Sequence, residues 1–142
     1  MLDELIHNLL KDIELSTEPS KIDSSTYQIE LTQDLSILIK RIDPGYYFQT
    51  AICEIPDYEA EMLFISLMEA NLFGQGTGGG VLGISPERQI FIFSKKILQD
   101  LNYQEFKEKI EEFVNYVEFW RLEIATYGAV SYTHLTLPTS DL

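Results

Sequence analysis

The chain holds one cysteine, Cys53, in 142 residues, so neither an internal disulfide nor a thiolate metal cluster can form. Cys53 sits in an apolar stretch, where a small buried hydrophobe is the default reading. Histidine is almost as scarce. His7 lies on a predicted helix with no second ligand at metal-binding spacing, and His134 falls in a C-terminal stretch of different composition, so a nitrogen-ligated metal is poorly supported. Positive charge is short as well: 10 Lys and Arg against 23 Asp and Glu leave a formal net charge of −13. Nucleic acid and anionic membrane are therefore not expected partners, since both require cationic groups. The acidity suits a basic or apolar partner, and it would equally serve to keep an apolar surface in solution. No apolar run approaches the length of a membrane span. The opening Met1-Leu-Asp-Glu lacks the basic and apolar regions of a secretory signal, so the expected location is a reduced cytoplasm with no membrane insertion. Neither G-x-S-x-G nor H-E-x-x-H occurs.

Apolar residues make up 45% of the chain and aromatics 12%, which suits one domain burying roughly two-thirds of its unfolded surface. Leu2, Leu5, Ile6, Leu9, Leu10 and Ile13 recur at helical spacing, predicting a helix over 1–15 with a wide apolar face. Ser16 to Ser25, with Pro19, reads as a loop. Three strands follow as an antiparallel meander. Tyr27–Leu31 has Tyr27, Ile29 and Leu31 on one face, Leu35–Ile42 has Leu35, Ile37 and Ile39 on one face, and Tyr46–Ile55 is apolar on both. Asp43-Pro-Gly marks the second turn. Pro56-Asp57 opens a helix, with Asp57 as N-cap. Met62, Leu63, Ile65, Leu67, Met68, Leu72 and Phe73 leave that helix apolar almost all round, which calls for burial on more than one side.

Six of the eight glycines fall between Gly74 and Gly83. Gly74, Gly76 and Gly79 satisfy G-x-G-x-x-G, as do Gly78, Gly80 and Gly83, but the order is helix, glycines, strand. A phosphate cradle needs the reverse, with a helix N-terminus facing the anion, and no P-loop lysine is present. The structural reading is favoured: Gly74 ends a helix in the left-handed conformation, and Gly78–Gly80 let the chain turn sharply or another backbone approach. A strand pair, Val81–Ile84 and Ile90–Phe93, follows, joined by Ser85-Pro-Glu-Arg. A last helix opens at Asn102, where Asn102 and Glu105 form a capping box, and runs with Phe106, Ile110, Phe113, Val117, Trp120 and Ile124 in one stripe. Residues 130–142 depart in composition and read as a non-native or flexible tail, leaving 1–129 as the domain. The order α-β-β-β-α-β-β-α defines an α+β fold with helices on an antiparallel sheet.

The stretch Glu69-Ala-Asn-Leu-Phe-Gly-Gln-Gly-Thr-Gly-Gly-Gly-Val-Leu-Gly83 resembles the central signature of the class I type III secretion chaperones, the Tir-chaperone-like (CesT/SycE) family, and the resemblance extends over about Leu2 to Arg121. It implies a cytoplasmic homodimer with no cofactor and no ATPase activity. Such a chaperone binds the N-terminal region of one or more secreted effectors and keeps them soluble and export-competent; the secretion ATPase is left open as a further partner. The expected dimer contact combines the all-round apolar helix with the strand after it: Met68, Leu72, Phe73, Gly78, Gly79, Gly80, Val81 and Leu82. The expected effector surface draws on Leu2, Leu5, Ile6, Leu9 and Ile13 of the first helix and on Ile29, Leu31, Ile37 and Ile39 of the strands, divided between core and groove. Leu2, Leu5 and Leu9, at the edge of the stripe, are expected in the groove. The alternative is a small dimeric α+β enzyme or ligand-binding domain with a carboxylate-lined site.

Overall fold

Alternation along the strands decides which face of the sheet is covered. In the computed structural model, which describes residues 2–15, 18–56, 60–74, 76–85, 87 and 89–136 (backbone alone at 60, 73 and 127–136), the elements are α1 (Leu2–Asp12), β1 (Ser20–Asp23), β2 (Thr26–Thr32), β3 (Leu35–Arg41), β4 (Tyr46–Glu54), α2 (Ala60–Asn71), a 3-10 turn (Leu72–Gly74), β5 (Val81–Ser85), β6 (Ile90–Ile97) and α3 (Tyr103–Thr136). The strands form one antiparallel sheet in the order β1-β2-β3-β4-β6-β5. Tyr27, Ile29, Leu35, Ile37, Ile39, Tyr46, Phe48, Phe91 and Phe93 point to one face and are buried. Gln28, Glu30, Lys40, Ala51 and Lys96 point to the other and stay exposed.

The helices lie on the apolar face. The α3 stripe of Phe106, Ile110, Phe113, Val117, Trp120 and Ile124 is buried throughout, with Phe48 edge-on to Phe106 and Phe113, and Phe93 stacked on Phe113 at 5.0 Å. At roughly 1.5–3 kcal/mol per large side chain removed from water, the stripe contributes on the order of 10 kcal/mol before ordering entropy is subtracted. Its start is fixed by the predicted capping box: the Glu105 amide donates to Asn102 Oδ1 (2.8 Å) and the Asn102 amide to Glu105 Oε1 (3.0 Å).

The structure adds an element the sequence reading missed. Ser20–Asp23, read as loop, pairs with β2 as a short edge strand, and all four of its residues are exposed. Strand β6 also runs past Phe93 to Ile97, because Ser94, Lys95 and Lys96 stay paired with β4 and Lys95 meets Glu112 at 3.6 Å. The expected Asp57 cap of α2 lies outside the described residues, as do Pro86 and Arg88 of the β5–β6 link. The α3 backbone is helical through Thr136, and 137–142 lie outside the described residues.

The glycine stretch packs against its own chain. At Gly78, φ is +60°, and a Cβ would lie 2.3 Å from Tyr116 Cε2; at Gly80 it would lie 2.7 Å from Phe93 Cζ and 2.8 Å from the Ser94 carbonyl oxygen. Thr77, fully buried just before Gly78, donates its hydroxyl to the Gly80 carbonyl at 2.7 Å. Trp120 Nε1 donates to the Gly76 carbonyl at 2.9 Å. The bare backbone therefore lets α3 close down on the loop.

Candidate partner-binding surfaces

Helix α1 is amphipathic and docks most of its apolar side into the core. Leu2, Leu5, Ile6 and Leu9 are buried in the core, as are Ile29, Ile37 and Ile39 on the strands they face. This corrects the expectation that Leu2 and Leu5 stay accessible: both are 6% exposed, and Leu9, itself buried, reaches a groove only as part of its floor. Both ends of α1 are pinned. The Tyr27 hydroxyl donates to Asp3, which also meets Lys21 at 3.5 Å. The Tyr103 hydroxyl donates to Asp12 Oδ2 (2.5 Å) and lies 3.2 Å from the Asn8 carbonyl oxygen, and Lys107 stands 3.6 Å from Asp12. These hydroxyl donors hold the Asp3 and Asp12 carboxyls below their ordinary value. Burial, then the bond to Asp12, push the Tyr103 hydroxyl up to about 12.

The helix ends in a Schellman turn, with Leu15 N–H bonded to the Leu10 carbonyl (3.0 Å) and Glu14 N–H to Lys11 (3.3 Å). Glu14 occupies the left-handed position, φ 55°. The turn swings Ile13 outward, 39% exposed. There it opens a groove of about 370 Å³ between α1, β2 and α3, lined by Leu9, Ile13, Leu31, Ile110 and Val114 and rimmed by Lys107, Glu111 and Asn115. Of the nine residues expected to bind an effector, Leu9, Ile13 and Leu31 come together here. Leu9 forms part of the floor, Leu31 is half-buried and Ile13 is accessible.

A second apolar surface forms where α2 meets β5. Leu63 and Leu67 face the core, and Phe64 lies edge-on to Phe91. The opposite side of the same helix leaves Met62, Ile65 and Met68 exposed, Met68 at 71%, and Leu72 of the 3-10 turn and Val81 and Ile84 of β5 are exposed as well. A shallow groove of about 280 Å³ runs between Phe64, Met68, Asn71, Gly83 and Ile84. Of the expected dimer residues, Met68, Leu72, Val81 and Gly79 are exposed, and Gly78 is half-exposed against Tyr116. Gly80 and Leu82 are corrected: same-chain atoms bury both, Leu82 through its inward side chain. The Phe73 side chain lies outside the described residues.

Asn71, the last residue of α2, carries a role the sequence reading did not assign. Its side chain donates to the Leu82 carbonyl and accepts from the Leu82 amide, both at 2.8 Å. The carboxamide thus occupies the outward N–H and C=O of Leu82 on an edge strand, two groups to which an added strand would otherwise bond. Its only sequence signal is an Asn placed just before the glycines and an uncharged strand.

The exposed face of the sheet carries a polar cavity of about 490 Å³, lined among others by Gln28, Glu30, Asp34, Ser36, Gln49 and Arg121. The Arg121 guanidinium is spent on backbone, donating to the carbonyls of Asp34 (2.6 Å), Ile52 (3.0 Å) and Ala51 (3.2 Å). Glu30 and Asp34 stand exposed to solvent. Cys53 is half-buried, and that burial pushes its thiol up. Among the described residues no group of three or more metal-ligating side chains converges, and no helix is long and apolar enough to cross a membrane.

The fold is thus a helix-backed antiparallel sheet with two accessible apolar surfaces. The chain belongs to the Tir chaperone protein (CesT) family, whose profile matches residues 4–121. A protein of Chlamydia pneumoniae, CPj0713/CpB0740, is 32% identical over 65 residues, 46% of this chain; the match spans about half of that protein, 49%. Three solved structures share the fold. The ExsC–ExsE complex matches with a TM-score of 0.69 at 14% identity, over 84% of this chain and 90% of that one. YbjN, a proposed transcription regulator from E. coli, gives 0.64 at 14% identity over 90% and 93%. The heterodimeric ExoU–SpcU complex from the type III secretion system of Pseudomonas aeruginosa gives 0.59 at 10% over 87% and 94%. At these identities the structural likeness is one of fold alone.

Proposed function

We propose that this protein is a cytoplasmic type III secretion chaperone. It binds the N-terminal region of one or more effectors and keeps them soluble and export-competent without ATP. The observation that carries the reading is the pairing of family membership with apolar surface left accessible in two places: the α1–β2–α3 groove and the α2–β5 face. A client segment laying aliphatic side chains into the first would be held by burial and mass action, with no bond changed. The second suits a second copy of the chain, since Met62, Ile65, Met68, Leu72 and Ile84 leave large apolar side chains exposed, with Met68 and Ile84 lining one groove, as an interaction surface does. Asn71 on the β5 edge favours a dimer built by side-chain packing over one continuous sheet. The loaded dimer is what the secretion ATPase would meet.

Co-purification from the native host with identification of the bound chain tests the client, and light scattering tests the dimer. A co-purified secreted protein held through its N-terminal region supports the reading. A monomer at micromolar concentration with no bound chain contradicts it, and turnover of a small substrate at the polar cavity would favour the enzyme alternative.

A further inference from the structure

We propose that the α1–β2–α3 groove is selective for extended client segments that carry a Lys or Arg two residues from the aliphatic side chain it buries, and that Glu111 reads that cation. This rests on the client-binding reading and specifies its chemistry. The groove floor is made by the buried Leu9 and Ile110, its walls by Ile13, Leu31 and Val114. Its rim holds two charges in different states. The Lys107 ammonium lies 3.6 Å from Asp12 and is compensated. Glu111 is exposed and has no ion-pair partner among the described residues, whereas its neighbour Glu112 lies 3.6 Å from Lys95 and 3.7 Å from Lys109.

An uncompensated carboxylate thus stands on the lip of an apolar groove, one helical turn from Val114, on a chain of net charge −13. In an extended peptide, side chains at i and i+2 share a face about 7 Å apart, so one can fill the groove while the other crosses its lip. A Lys or Arg there lays its methylene stem over Val114 and brings its charge to Glu111. A client carboxylate in the same place meets like charge and is rejected.

Two labelled nine-residue peptides test this, Leu-Ser-Lys-Ser-Leu-Ser-Lys-Ser-Leu and its counterpart with Glu for Lys, titrated by fluorescence anisotropy at physiological salt. The Lys peptide should bind wild type about 5-fold tighter or more, the scale of an exposed ion pair. Glu111→Gln should shrink the ratio to about twofold. Glu118→Gln, which removes an exposed carboxylate of α3 that does not line the groove, should leave it unchanged. Ile13→Ser should weaken both peptides alike. A ratio untouched by Glu111→Gln, or moved as much by Glu118→Gln, overturns the selectivity and reduces it to bulk charge. Failure of both peptides to bind, or binding indifferent to Ile13→Ser, overturns the groove itself.

Discussion

Replacing Leu5 by Asp and Ile13 by Ser separates fold from function on the two ends of one helix. Leu5 is 6% exposed in the core and Ile13 is 39% exposed at the groove. Emptying a buried leucine site costs about 2–5 kcal/mol, and forcing a carboxylate into it adds the penalty of an unpaired buried charge. Against a total stability of about 5–15 kcal/mol, Leu5→Asp should leave little folded protein. Ile13 has only part of its surface to lose, so Ile13→Ser should cost about 1–2 kcal/mol. For a domain of this size that lowers the melting temperature by roughly 3–8 °C. Circular dichroism melts, followed by client pull-down on whichever variant folds, make the comparison. The expected pattern is a destroyed fold for Leu5→Asp and a folded Ile13→Ser that has lost client. A stable Leu5→Asp protein would refute the burial of α1 argued above.

Other substitutions probe the scaffold. Gly78→Ala forces a left-handed Ala into the Tyr116 ring and should cost about 1–3 kcal/mol in urea unfolding; a neutral result would remove the loop–α3 packing. Glu14→Gly relieves a left-handed non-glycine residue and should raise stability by roughly 0.5–1 kcal/mol, checked the same way. Tyr103→Phe addresses the α1 clamp through melting temperature against pH. The Asp12 carboxyl is held below 3.8 by the Tyr103 hydroxyl, so its contribution is present above that value and fades as pH falls through the lower, folded one. Tyr103 is raised from 10.0 to about 12, so its contribution is complete below pH 10 and is lost as pH climbs toward 12. The variant should flatten both limbs, and unchanged limbs would dismiss the clamp.

What sequence made legible followed from local rules. The α3 stripe, its Asn102–Glu105 cap and the left-handed Gly74 were readable because helix period, capping and glycine chemistry act within a few residues. Strand β1 was not, because Ser-Lys-Ile-Asp is short, polar and exposed on all sides and becomes a strand only by pairing with β2. The groove was half legible. Leu9, Ile13 and Leu31 belong to it, but Leu2 and Leu5 share the same helical stripe, and only the placement of α3 and the sheet decides which of these reach the groove. The all-round apolarity of α2 did announce a second accessible side, now seen as Met62, Ile65, Met68 and Leu72. Asn71 gave only a faint signal, because its carboxamide matters only once β5 is laid beside the end of α2.

The most direct test takes the N-terminal segment of the co-purified client, expressed alone, and titrates it into the chain by calorimetry at several temperatures with no nucleotide present. Saturable binding with a negative heat-capacity change is predicted, since apolar surface leaves water when the segment enters the groove. A segment that fails to bind, while the rest of the client lacking it still does, would contradict the chaperone reading.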